Sequence, residues 1–275
     1  MNYSKELIKT LEHKANQLRK NVVESIGVGV AGHLGGSCSA ADLIAALYFY
    51  KMKYNPENPK WEERDRFLLS KGHVAILQYS ALAEAGFFPV SDLKQTKDLD
   101  FHLQGHPDYQ KTPGIEAGTG SLGQGLSLGL GMALGLKLDQ VNSKVYVLCG
   151  DGELAEGQIW EAAMAAASYQ MDNLVAIVDH NKLQAMGPIH ERLDILPLAE
   201  KWAAFGWHVI EIDGHDMSEI LNALDTLDTV KGKPSVIIAH TTKGKGVSFA
   251  ENTVSCHNVL LTEDMYNQAL ADLAE

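Results

Sequence analysis

The sequence has little cysteine and no cysteine pattern. Only Cys38, Cys149 and Cys256 occur, far apart and odd in number, with no C-x-x-C pair. That excludes a disulfide scaffold and a cysteine-rich zinc site. Positive charge is also short: 23 lysines and arginines stand against 35 acidic residues, a formal net charge of -12. Such a balance argues against non-specific binding to nucleic acid or to an anionic membrane. It leaves phosphorylated ligands open, because local donors or a metal can overcome the global field. No apolar run reaches 18 residues, so no membrane span is expected. The opening MNYSKELIKTLEHKANQLRK is amphipathic and mixed in charge, with no signal-peptide core. Linkers, repeats, low-complexity segments, H-E-x-x-H, Walker spacing and serine-hydrolase or kinase motifs are absent as well. What is present is 275 residues, 45% of them hydrophobic, enough for a full core without staples. The expectation is a soluble, cytoplasmic α/β protein forming one domain over 1–275.

Patterning gives the organisation. Leu7, Leu11, Ala15, Leu18, Val22 and Ile26 recur at helical spacing, so an N-terminal helical segment covers about 1–30 and ends near GHLGG. Ser39 with Asp42 three residues on predicts a capping box opening a second helix through DLIAALYFYKM. After RDRFLL and a polar SKGH turn, another helix runs to Gly86. Residues 91–114 read as a surface excursion that builds a site rather than a core. GTGSLGQGLSLGLGMALGLKL is a helix whose many glycines imply close approach of another helix or a subunit. VYVLCG, LVAIVDH, HVIEID and PSVIIAH are continuous apolar strands, separated by ELAEGQIWEAAMAAASYQ, LAEKWAAFG and MSEILNALDTL as helices. A terminal helix covers about 263–273. Alternating strands and helices predict a mostly parallel central sheet with helices on both faces.

Ligands of such sheets bind at the carboxyl ends of strands. Gly150-Asp151-Gly152 follows one strand and Asn181 the next, 30 residues on. A carboxylate, an amide oxygen and a backbone carbonyl near Leu183 are hard ligands, suited to magnesium or calcium bridging a phosphate. The same residues also read as a turn with caps. Free N–H groups after Gly152 would meet the phosphate. GTGSLG fits G-x-G-x-x-G but has no strand before it, so it is no dinucleotide fingerprint. His33, His73, His102, His106, His215 and His257 lie in loops, where imidazole can exchange protons near neutral pH or simply cap and pack. TKGKG at 242–246 is only loosely phosphate-loop-like, and its lysines read as solvated. Glu153 reads as a helix-terminal carboxylate; Glu156, with Gly157, reads as an odd pair inside an alanine-rich helix.

Taken together, these blocks resemble the N-terminal, diphosphate-binding part of transketolase. GDGELAEGQIWEAAMAAASYQMDNLVAIVDHNKLQ resembles the thiamine diphosphate signature. AGHLGGSCSAAD, DRFLLSKGHVAILQYS, QGHPD, GTGSLGQGLSLGLGMALG, GWHVIEIDGHD and KPSVIIAHTTKGKGVSFAEN follow in the family's order over almost the whole chain. The resemblance implies the thiamine diphosphate-binding fold and a Mg2+ site, which Ca2+ or Mn2+ may also fill, of Asp151, Asn181 and the Leu183 carbonyl. It implies cofactor contacts at His73, Gly120, Ser121, Leu122, Gly152, Glu153 and Asn181, and catalytic His33, His106 and His257 along the sugar channel. Glu156 and Glu161 match the acidic residues that connect paired sites across the interface. Two departures stand out: His180-Asn181 where the family often has two asparagines, and His257-Asn258 where glycine often follows the histidine. A full transketolase is more than twice this length, and the remainder holds the aminopyrimidine and its activating glutamate. The expectation is therefore a separately encoded subunit rather than a truncation. It would be active with a C-terminal subunit, in a heterotetramer of two such pairs, moving a two-carbon unit between sugars or sugar phosphates. Another thiamine diphosphate enzyme, such as a deoxyxylulose-phosphate synthase-like one, and a non-catalytic scaffold are the competing readings.

Overall fold

The computed structural model describes residues 3–274. In chain order the first elements are helix α1 (Lys5–Ile26), strand β1 (Ala31–Gly32), α2 (Leu34–Ser39), α3 (Ala41–Ala46), β2 (Arg66–Leu69) and α4 (Ala75–Glu84). Then come α5 (Gln124–Leu138), β3 (Val145–Gly150), α6 (Gly157–Ser168), β4 (Leu174–His180), β5 (Leu183–Gln184) and β6 (Gly187–Pro188). The chain closes with α7 (Leu198–Ala204), β7 (His208–Asp213), α8 (Met217–Thr226), β8 (Ser235–His240), β9 (Val259–Leu260) and α9 (Glu263–Asp272). Ser4 and Asp216 cap α1 and α8 by accepting from backbone amides of the first turn.

Five strands form an all-parallel sheet in the order β2-β3-β4-β8-β7; β1–β9 and β5–β6 are small antiparallel pairs. The chain leaves β4 for the edge at β7 and returns to insert β8 between them, which opens a crevice at the carboxyl ends. Strand residues alternate between two cores. Tyr146, Leu148, Val175 and Ile177 join α1, α3, α4 and α8 on one face. Val147, Cys149, Ala176 and Val178 join α5, α6 and α7 on the other. Both faces are covered, so the apolar strand runs are continuous. No helix among the described residues is long and apolar enough to cross a membrane.

Three local expectations change. RDRFLL contributes a short edge strand, β2, too brief to announce itself by period. The capping box at Ser39 does not form: Ala40 sits at the N-cap of α3 without a side-chain bond. Ser39 Oγ instead donates to Asp179 Oδ2 at 2.6 Å, and Asp42 takes Arg19 and His215 as partners. Two glycines of α5, Gly125 and Gly129, answer to the sheet rather than to another helix. A Cβ on Gly125 would lie 2.5 Å from Ser70 Cβ, and one on Gly129 would lie 2.5 Å from Val147 Cγ2, so glycine lets α5 settle onto β2 and β3.

Candidate active site

Strand register builds the site. Gly150 lies opposite Asp179, and His180 opposite His240, so the residues just past β3, β4 and β8 emerge side by side. With the end of β2, they wall a cavity of about 290 Å³ lined by Lys71, His73, Leu122, Asp151, Gln184 and His257 among others.

Asp151 and Asn181 do meet there. Gly152 N donates to Asp151 Oδ1 at 2.7 Å, Lys182 N donates to Oδ2 at 2.5 Å, and His180 Nδ1 lies 3.2 Å from the same oxygen. Leu183 N donates to Asn181 Oδ1 at 3.1 Å. The Leu183 carbonyl accepts the Lys243 ammonium at 2.8 Å. A carboxylate, an amide oxygen and a carbonyl already serving a cation form a hard-oxygen donor set, and it fits magnesium or calcium better than zinc. No group of three His, Cys, Asp or Glu side chains among the described residues offers an alternative metal centre.

Two lysines that the sequence places in polar turns are central. Lys71 is 3% exposed and Lys243 1%, so of the two TKGKG lysines expected to be solvated Lys243 is not, while Lys245 is half-buried. Lys71 Nζ donates to Asp179 Oδ2 at 2.5 Å and to Gly36 O at 3.0 Å. Asp179, fully buried, also accepts from Ser39, from Thr241 Oγ1 and from Asn181 Nδ2 at 3.1 Å. Burial pushes the Asp179 carboxyl up, but the Lys71 charge and these hydrogen bonds outweigh it and hold it low. Lys243 is pushed down to about 8 by burial and by Lys71. A usable signal exists in the sequence, since both lysines stand at or just after a strand's carboxyl end.

Glu153 is buried and acts as a tie. Its carboxylate accepts from Ser70 Oγ, from Gly123 N at 2.8 Å and from Gly150 N at 3.0 Å, joining three loops at the cavity wall. Burial raises its pKa, and the three donors work against the rise. Glu156 is not inside a helix: residues 152–155 form a 3₁₀ turn, and Glu156 is the extended N-cap of α6. Glu156 and Glu161 are both exposed.

Three of the loop histidines converge. The rings of His33, His73 and His257 have centroids 4.9, 5.2 and 5.5 Å apart. His106 packs on Gly120, whose φ of 138° and missing Cβ admit the ring; a Cβ there would lie 2.5 Å from His106 Cδ2. Ser121 and Leu122 continue that loop as exposed residues, and Leu122 lines the cavity. His102 lies outside the site, 3.1 Å from Asp92, and His215 stands behind it. Burial, reinforced by neighbouring positive charge, pushes His33 to about 4, His73 to about 2 and His257 to about 4. Lys243 donates to His257 Nδ1 at 2.9 Å, which needs a neutral ring. Burial and the neighbouring lysines thus favour the uncharged form of all three rings. The unfolded chain takes up their protons below about pH 6.5, the folded chain only near pH 4 and below, so stability should fall as pH drops through that window. Tm against pH and imidazole NMR titration check it; a ring of the three titrating near 6.5 in the folded protein would refute it.

A family profile described as "Transketolase, thiamine diphosphate binding domain" matches residues 11–273. The chain is 48% identical over 263 residues to the 6-deoxy-6-sulfo-D-fructose transketolase subunit SqwG of Clostridium sp. (strain MSTE9), covering 96% of each. It is 42% identical to one of the subunits of the apulose-4-phosphate transketolase of Phocaeicola vulgatus, covering 98% of this chain and 95% of that one. Among solved structures, transketolase from Campylobacter jejuni superposes with a TM-score of 0.91 at 33% identity, covering 99% of this chain and 43% of that one. The chain thus spans about two fifths of the length of the solved transketolases it matches.

Proposed function

We propose, because this chain belongs to the transketolase family through its thiamine diphosphate-binding domain, that it is one subunit of a split transketolase. The unit, one domain over 1–275, would work with a second subunit that supplies the pyrimidine side of the cofactor and its activating glutamate, in an assembly of two such pairs. The reaction moves a two-carbon glycolaldehyde unit from a ketose or its phosphate to an aldose or its phosphate. The observation that carries this reading is the convergence of Asp151, Asn181 and the Leu183 carbonyl beside Lys71, Lys243 and the clustered rings of His33, His73 and His257. Coverage supports the subunit form: the chain matches proteins named as transketolase subunits over 95–96% of their length.

In this reading Asp151, Asn181 and the Leu183 carbonyl would hold Mg2+, for which Ca2+ or Mn2+ could stand in, and the metal would supply positive charge for a diphosphate. Bound thiamine diphosphate supplies the electron sink for carbon–carbon cleavage. The protein's own share is binding and proton handling. Lys71 and Lys243 would offset the diphosphate charge, and Gly152 and Glu153 line the same cavity. Residues 120–122 and His73 would wall the cofactor. The uncharged rings of His33 and His257 can each donate to a sugar carbonyl or accept from a hydroxyl, and His106, packed on Gly120, would line the same channel. Glu156 and Glu161, exposed in the single chain, would connect paired sites across the assembly.

Native mass spectrometry with Mg2+ and thiamine diphosphate, followed by a transfer assay, tests this. The expected result is no turnover by the chain alone, and transfer only in a complex with a second chain. Steady glycolaldehyde transfer by the pure single chain would overturn the subunit reading.

A further inference from the structure

Behind the cavity lies a buried charged relay that the mechanism above does not use. Asp42 on α3 accepts both Arg19 guanidinium nitrogens, one at 3.2 Å and one closer, and His215 Nδ1 at 2.7 Å. Arg19 on α1 is held in turn by donating Nε to Cys38 O at 3.1 Å. All three side chains are largely enclosed, with 7%, 9% and 14% exposure for Arg19, Asp42 and His215. On its far side His215 Nε2 accepts from Thr242 N at 2.8 Å. A backbone N–H can only donate, so Nε2 carries a lone pair and the ring proton sits on Nδ1, given to Asp42. The next residue is Lys243, whose ammonium rests on Leu183 O and His257 Nδ1. Gly244 N donates to Gly35 O at 3.0 Å, so the loop is pinned on both sides of that lysine.

We infer that His215 is a positioning residue. Held as the Nδ1–H tautomer by the Asp42–Arg19 pair, it fixes the Thr242 amide and thereby aims Lys243 into the metal and diphosphate cavity. Its geometry stands on the contacts above; its consequence for ligand binding rests on the proposed diphosphate reading. Carboxylate, imidazole and backbone amide form one line because each atom offers its neighbour only one role. The same logic orients histidines one step back from metal ligands, where loss of the support costs about 10–100-fold in affinity.

The test uses the full chain, with His215→Leu removing both ring contacts and His215→Gln keeping one donor and one acceptor. Lys243 should resist amine acylation, read by mass spectrometry, in the wild type and in His215→Gln. In His215→Leu its labelling should rise at least about tenfold, and affinity for Mg2+ with inorganic pyrophosphate should fall about tenfold. In a Lys243→Met background the same His215→Leu change should cost nothing further. Unchanged Lys243 labelling in a folded His215→Leu protein would overturn the inference. If wild-type chain ignores Mg2+-pyrophosphate, the diphosphate reading falls while labelling still decides the positioning. Should His215→Leu not fold, ¹⁵N imidazole shifts of the wild type decide: Nδ1–H supports the relay, and Nε2–H refutes it.

Discussion

Asp179→Ala should lower the unfolding free energy by about 3–5 kcal/mol, because it strands the Lys71 ammonium in the interior. The pair is shut away from water, at 3% and 0% side-chain exposure and 2.5 Å separation. Lys71 would retain only the Gly36 carbonyl, and Ser39, Thr241 and Asn181 would each lose an acceptor. Asn181 is one of the proposed metal ligands, so the same change frees its amide to rotate. Urea denaturation at pH 7 reads the loss. A double variant, Lys71→Met with Asp179→Leu, should recover part of it, since it removes the stranded charge with its partner. A loss under about 1 kcal/mol, the range of exposed ion pairs, would show that Asp179 does not anchor this centre.

The contrast between these residues and the ones read from sequence has a physical cause. Strands such as LVAIVDH were legible because a sheet covered on both faces demands unbroken apolar runs. Asp151 and Asn181 were legible because one β-α-β passage sets the distance between neighbouring strand ends. The histidine loops were legible through resemblance, and the ring contacts now place three of them together. The burial of Lys71, Ser39 and Thr241 was not legible, though Lys71's place past a strand end was, because that burial depends on one carboxylate 108, 140 and 62 residues away. A lysine in a short polar string normally points to water. Ser39 followed by Asp42 has the letters of a capping box, yet both side chains are drawn to distant partners that no local pattern encodes. Glu156 read as helical because alanine-rich sequence follows it; the 3₁₀ turn before it, with Asp151 at its cap, breaks the helix there.

Charge in the cavity decides what metal removal and ligand mutation should do. Lys71 and Lys243 supply two buried cations, while Asp179 is already bound to Lys71. Asp151 is therefore the anion standing with Asn181 and the Leu183 carbonyl, and its oxygens otherwise meet only Gly152 N, Lys182 N and His180. Asp151→Asn keeps the shape and one acceptor oxygen, so folding should survive with a cost of about 1–3 kcal/mol for the bonds it weakens. Metal binding should not survive. Supporting residues one step removed from a metal are worth about 10–100-fold, so losing the charged ligand itself should cost at least about 100-fold in Mg2+-dependent affinity. The lysines remain, and the pocket becomes more positive by one charge. Pyrophosphate without metal should therefore bind the variant at least as well as it binds the wild type. Calorimetric titrations of pyrophosphate with Mg2+ and with EDTA separate the two effects. In the wild type, Mg2+ should strengthen binding; in Asp151→Asn the two curves should coincide. A variant whose affinity still rises with Mg2+ as the wild type's does would remove Asp151 from the metal site, and leave the two lysines as the diphosphate's principal hold.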